Sequence, residues 1–155
     1  MKSRQVALAI IAYASLALLL AGCNSSKSIQ SNGASVGGVD TEEPLLFSVT
    51  QSLGVSREQG IAGVGAILSL AQSRLDASDF DQVKSAIPAA DSYIYGARDL
   101  AVASSPINDM SALNAAFGRA SIGPTTGSKM ISAVTQYVTE VGGESIGRSF
   151  NSVFQ

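Results

Sequence analysis

The sequence predicts an all-α domain over residues 44–155, a compact bundle of about six or seven helices. Three observations lead there. Apolar residues recur at three- and four-residue spacing along most of that span, as one buried helix face requires. Proline and glycine stand where such segments would start and stop. No pair of alternating apolar and polar runs flanks a turn, so no strand pair is expected.

Pro44 suits a first helical turn, Leu45, Leu46, Val49 and Leu53 share a face, and Gly54 is a stop. Ser56, with Gln59 three residues on, forms a capping box for the second helix. Ile61, Val64, Leu68, Ala71 and Leu75 repeat along it, while its other side carries Gly60, Gly63, Ala66, Ile67 and Leu70. Charge is confined to its ends, at Arg57, Glu58 and Arg74. A helix that is apolar or small all round belongs at the centre of a bundle. Its glycines lower helicity by about 1 kcal/mol each relative to Ala, and close approach of a neighbour is the simplest compensation.

Ser78 is a third cap, Phe80, Val83 and Ile87 face inward, and Pro88 ends that helix. A fourth spans residues 89–102, with Ile94, Ala97 and Ala101 inside and Tyr93 and Tyr95 near the rim. After the break at Ser104-Ser105-Pro106, a fifth begins near Asn108 or Asp109 and buries Leu113 and Phe117. Ile122-Gly123-Pro124 reads as a turn, and residues 126–141 as a long amphipathic helix. Its stripe is Met130, Val134, Tyr137 and Val141, with Ile131 and Val138 beside it. Gly142-Gly143 stops it, and Ile146, Phe150, Val153 and Phe154 close the core from the last segment.

An offset of 67 residues aligns two stretches, bringing Leu46 onto Leu113, Val55 onto Ile122, Gly60 onto Gly127 and Val64 onto Ile131. Ile67 falls on Val134, Ala71 on Val138 and Val83 on Phe150. The match is of apolar type more than identity. It predicts two pseudo-symmetric halves with the two long helices packed together.

Before the domain the chain reads as leader and tether. Lys2 and Arg4 precede an apolar run from Val6 to Leu20. At about fifteen residues that run is shorter than the roughly 20 a membrane-spanning helix needs, and it has the plan of a secretory signal. Leu20-Ala21-Gly22-Cys23 then resembles the bacterial lipobox: a branched apolar residue, two small ones and an obligatory Cys. The resemblance implies diacylglycerol on the Cys23 thiol and removal of residues 1–22. Acyl chains, at about 0.8 kcal/mol per buried CH₂, would hold the protein to a membrane. Asn24, where Asp would signal inner-membrane retention, favours the outer membrane. Residues 23–43 are rich in Ser, Asn and Gly and are expected to be a disordered tether, with a reach on the order of 25 Å.

From Leu45 onward the text resembles the VcgC/VcgE-type domain of unknown function. Leu53-Gly54-Val55-Ser56, the run Gly60-Ile61-Ala62-Gly63-Val64-Gly65-Ala66, Asp79-Phe80 and Ile87-Pro88 carry the resemblance, as does the stretch from Phe117 through Val138 to Gly142-Gly143. It implies a small secreted or lipid-anchored bacterial protein and brings no catalytic residues with it.

Composition narrows the chemistry further. The 155 residues include no His, so imidazole-based triads and imidazole metal sites are excluded. Cys23, the one cysteine, is committed to lipid, and no intrachain disulfide can form. Setting aside Lys2 and Arg4 leaves 8 basic against 12 acidic residues, which argues against nucleic acid as a partner. Adjacent Ser128-Lys129 is poor geometry for a Ser–Lys dyad on a helix. Asp76, Asp79 and Asp81 lack the Gly and terminal Glu of a calcium loop and read as acids at a helix N-terminus. Gly63-Val64-Gly65 lies within a helix and without phosphate-loop spacing. Of Tyr93 and Tyr95, which could stack on a ligand, alternation puts one in the core and one outside. No cofactor or metal is implied. The expected role is a non-enzymatic envelope interaction or assembly module, moored to the membrane through Cys23 and acting on an envelope protein. Two alternatives stand beside it: an apolar ligand or acyl chain held between helices at the small-residue face of the second helix, and an unrecognised hydrolase using Ser or Asp.

Overall fold

The computed structural model describes Gly38 and residues 43–155. Seven helices make up the described chain: α1 (Pro44–Leu53), α2 (Arg57–Arg74), α3 (Ala77–Ala86), α4 (Ala90–Asp99), α5 (Met110–Arg119), α6 (Pro124–Gly142) and α7 (Glu144–Ser152). No strand occurs among the described residues. The expectation for residues 1–22 and for most of 23–43 lies outside them.

The core is built around α2. Every residue from Gly60 to Leu68 is buried, as are Leu70 and Ala71. The capping box is present in full: Ser56 Oγ accepts from Gln59 N–H at 3.2 Å, and Gln59 Oε1 accepts from Ser56 N–H at 3.0 Å. Gln59 also donates through Nε2 to the Ala120 and Ser121 carbonyls at 3.3 and 3.1 Å, tying the start of α2 to the turn before α6. The glycines of α2 serve close approach. At Gly65 the α4 main chain lies so near that an added Cβ would sit 2.8 Å from Tyr93 C and 2.7 Å from Ala97 Cβ. At Gly60 it would meet Leu46 Cδ1 at 2.8 Å, and at Gly63 it would run into the Met130 thioether.

The 67-residue offset is visible in the helix boundaries. It carries Arg57 onto Pro124 and Ala77 onto Glu144, the first residues of α6 and α7, and every other boundary of α1–α3 to within one residue of α5–α7. It carries the left-handed Gly54 (φ 62°) onto the left-handed Ser121 (φ 57°). It carries the Gly60–Thr50 contact onto the Gly127–Phe117 contact. Gly63 and Met130 are themselves equivalent, and they touch, so the two long helices meet where a pseudo-twofold axis would pass. The expected pairing of those helices is therefore present, although α4, which lies between the repeats, is the broader partner of α2.

Several local expectations are corrected. α3 is capped by Asp76, whose Oδ1 accepts from Asp79 N–H at 2.9 Å, and not by Ser78, which only donates to the same carboxylate. α4 stops at Asp99 and not at 102. Leu100 follows, Ala101 turns left-handed at φ 56°, and Val102 N–H returns to the Ala97 carbonyl at 2.9 Å. This is a Schellman ending with Ala in the place usually held by Gly, and it leaves Ala101 exposed where the helical spacing put it inside. Tyr93 is fully buried, not at the rim, and Tyr95 is exposed. α6 begins at Pro124, because Pro at the first helical position loses no bond, just as at Pro44. Its buried stripe is Gly127, Met130, Val134 and Val138, while Tyr137 is half-buried and Val141 is exposed, near the helix end beyond the core.

Candidate functional site

Cys23, with Leu20, Ala21 and Gly22, lies outside the described residues. The described chain reaches towards it at Glu43, read from the sequence as the last residue of the tether. Glu43 is ordered. Its Oε2 accepts from Leu46 N–H at 2.8 Å and caps α1. The same oxygen accepts the hydroxyl proton of the buried Tyr93 on α4. Burial, and then this hydrogen bond, push the Tyr93 pKa far above its ordinary value. Burial, and then the Glu43 charge, raise that of Tyr137 on α6. One carboxylate thus joins the start of α1 to α4.

A cleft of about 430 Å³ opens on the described surface beside the end of α4. Three elements form it. The end of α2 supplies Ser69, Gln72 and Ser73, α4 supplies Arg98, and the α4–α5 loop supplies residues 103–108. The loop is held from below. Val102, Ala103 and Ile107 are buried. Ser73 Oγ donates to the Ile107 carbonyl at 2.9 Å, Arg74 Nε to that of Asn108 at 3.2 Å, and Arg119 Nε to that of Val102 at 2.9 Å. Arg74 also donates to the Val153 carbonyl at 2.7 Å. Two of the three arginines around the loop are therefore spent on its main chain. The third, Arg98, is exposed beside the cleft, 5.9 Å from the Tyr95 ring. The ion pairs among the described residues are Lys84–Asp91 and Arg148–Glu144, and Arg98 forms none with a described carboxylate.

The residues singled out from the sequence fall elsewhere. Asp76 caps α3 and Asp79 sits in its first turn, as read; hydrogen bonds from Asp79 N–H and then Ser78 hold the Asp76 pKa below the usual carboxylate value. Ser128 and Lys129 are exposed on α6, and Ser128 Oγ donates to the Pro124 carbonyl at 3.1 Å. Gly63 and Gly65 face packed neighbours. The space that a ligand would need at Gly60, Gly63 and Gly65 is filled by Leu46, Met130 and the α4 main chain. The cleft itself was missed. Its elements are about 30 residues apart in sequence, and the signal that could have found it is Ser104-Ser105-Pro106 following an Arg on a helix end, which alone reads as an ordinary break.

The described chain is thus a seven-helix bundle in which the boundaries of α1–α3 recur in α5–α7, and its candidate site is a cleft of mixed polar and apolar lining beside the end of α4. Residues 19–152 match the family described as Protein of unknown function VcgC/VcgE (DUF2780), and the chain belongs to that family. The matched span takes in Leu20–Cys23 as well as nearly all of the helical domain. Comparison with curated proteins and with solved structures gives no match.

Proposed function

We propose that this protein is an outer-membrane lipoprotein whose helical domain is a non-enzymatic envelope interaction module. The carrying observation is an address, Leu20-Ala21-Gly22-Cys23, joined by a polar stretch to a helical domain whose first helix is capped by Glu43. The engagement of Glu43, Asp76 and Asp109 in helix capping, and of Ser73 and Ser128 in main-chain bonds, supports the reading. An envelope protein is the partner this favours.

The test is acyl labelling in cells followed by membrane fractionation. Wild-type chain takes up label and sediments with outer membranes, whereas Cys23→Ala loses the label and keeps its leader or is misprocessed. Unchanged labelling and fractionation of Cys23→Ala would refute the anchor.

A further inference from the structure

We propose that the cleft between the end of α2, Arg98 and the α4–α5 loop binds the free C-terminal carboxylate of a short peptide. It rests on the interaction reading and gives the partner's chemistry.

Charge comes first. The described domain from Glu43 onward carries more acids than bases, yet three of its arginines stand around this one loop. Arg74 and Arg119 spend hydrogen bonds on the carbonyls of Asn108, Val153 and Val102. Arg98, unlike these two, makes no main-chain hydrogen bond and no ion pair among the described residues. One such fork matches one carboxylate, in the paired geometry that guanidinium and carboxylate share. A phosphate, with nearly two charges, would call for a second cation facing the cleft.

The remaining lining fits a peptide behind that carboxylate. Gln72 and Asn108 bear side-chain amides, each able both to donate and to accept. Neither amide bonds to another described residue at the cleft. Ser104 and Ser105 add hydroxyls, and Pro106 adds an exposed apolar surface on which a small side chain could lie. The volume of about 430 Å³ is in the usual range for small-ligand sites, about 300–1,000 Å³.

Preorganisation is the third argument. A loop of residues 100–109 would ordinarily be mobile, but this one is fastened at Val102, Ile107 and Asn108 by side chains from α5 and α2. It also begins in Ala101, whose left-handed backbone is held by the return of Val102 N–H to the Ala97 carbonyl. A loop so fixed loses little freedom when a ligand arrives. It lies between α4 and α5, outside the stretches that the 67-residue offset aligns.

The experiment uses the full-length ¹⁵N-labelled chain in detergent micelles. It is titrated with N-acetyl-trialanine, with the same peptide as its C-terminal amide, and with inorganic phosphate. The acid is expected to shift the Gln72, Arg98 and Asn108 signals saturably. The amide should bind at least about tenfold more weakly, the effect of one charge-assisted contact. Arg98→Gln should lose binding to the same extent with an unchanged helical spectrum, Arg98→Lys should recover it only in part, and Lys129→Gln should bind like the parent. Equal binding of acid and amide, tighter binding of phosphate, full binding by Arg98→Gln, or no saturable shift would each overturn the proposal. None of these outcomes bears on acyl labelling at Cys23, so failure here leaves the anchor reading to its own test.

Discussion

Gly65→Ala tests the packing at the centre of the molecule. The new methyl would meet the α4 main chain at Tyr93 and the Ala97 Cβ, 2.7 Å away. None of these atoms can rotate out of the way, so α4 itself must shift, and with it the hydrogen bond from Tyr93 to Glu43. Overpacking a core costs about 1–3 kcal/mol and occasionally more; rigid main chain places this site near the top. Replacing a helical glycine returns about 1 kcal/mol of propensity. The net expectation is a loss of about 2 kcal/mol, or a fall of about 1 M in the urea midpoint at a slope of about 2 kcal/mol/M. The measurement is urea unfolding followed by far-ultraviolet circular dichroism. Two controls isolate the cause. Gly63→Ala meets the Met130 side chain, which can turn aside, and should lose less. Gly118→Ala in α5 meets nothing within 4 Å and should gain a few tenths of a kcal/mol from propensity, less than the full value because it sits in the last turn. A Gly65→Ala variant at or above the parent midpoint, or Gly65→Ala and Gly118→Ala moving together, would refute the reasoning.

Two further outcomes follow from backbone and charge. Ala101→Gly and Ser121→Gly each relieve a left-handed residue and should stabilise the fold by about 0.5–1 kcal/mol, the strain removed less the added freedom of the unfolded chain; a lowered thermal midpoint for either contradicts this. Tyr93 has its folded pKa raised above the ordinary 10.0, by burial first and by its bond to Glu43 second. Its contribution is therefore complete below pH 10 and declines as the pH rises, because the unfolded phenol ionises while the folded one does not. Tyr137 acts in the same window and direction. Stability should fall from pH 10 towards 12, and Tyr93→Phe should make that slope shallower; an unchanged slope in the variant would show that the buried phenol is not its source.

The helices were legible because their signals are local. Pro44, the Ser56–Gln59 box, Pro88, Asp109 and Gly142-Gly143 each mark a boundary with chemistry that acts within one turn. The all-round apolar character of α2 foretold its central position. What the sequence concealed depends on tertiary neighbours. Tyr93 shares a helix face with Ala90, Ile94 and Ala97, and Tyr95 one with Asp91, Arg98 and Asp99; what the sequence did not show is that Glu43, 50 residues earlier, accepts the Tyr93 hydroxyl proton. Ala101 is a good helix former, yet the helix ends before it because Val102 must reach the Ala97 carbonyl and enter the core. The cleft needs Gln72, Arg98 and Asn108 together, and no spacing rule joins three residues drawn from two helices and a loop.

The repeat explains why its two long helices, alike in length and entry, differ so much in polarity. Under the 67-residue offset Ile61, Gly65 and Leu68 of α2 correspond to Ser128, Ser132 and Thr135 of α6. On α2 this face is buried, and at Gly65 the α4 main chain covers it. On α6 the corresponding Ser128 and Ser132 are exposed and Thr135 is half-buried. The difference is what solvent requires: an uncovered copy of the Ile61–Gly65–Leu68 face would leave an apolar stripe in water, and a polar copy under α4 would bury hydroxyls away from water. The α4 segment thus sets the character of α2, and the loop that leads out of it forms the cleft. The recurring helices supply the frame, and the segment outside the recurrence covers the central helix and borders a cleft with Arg98 at its edge.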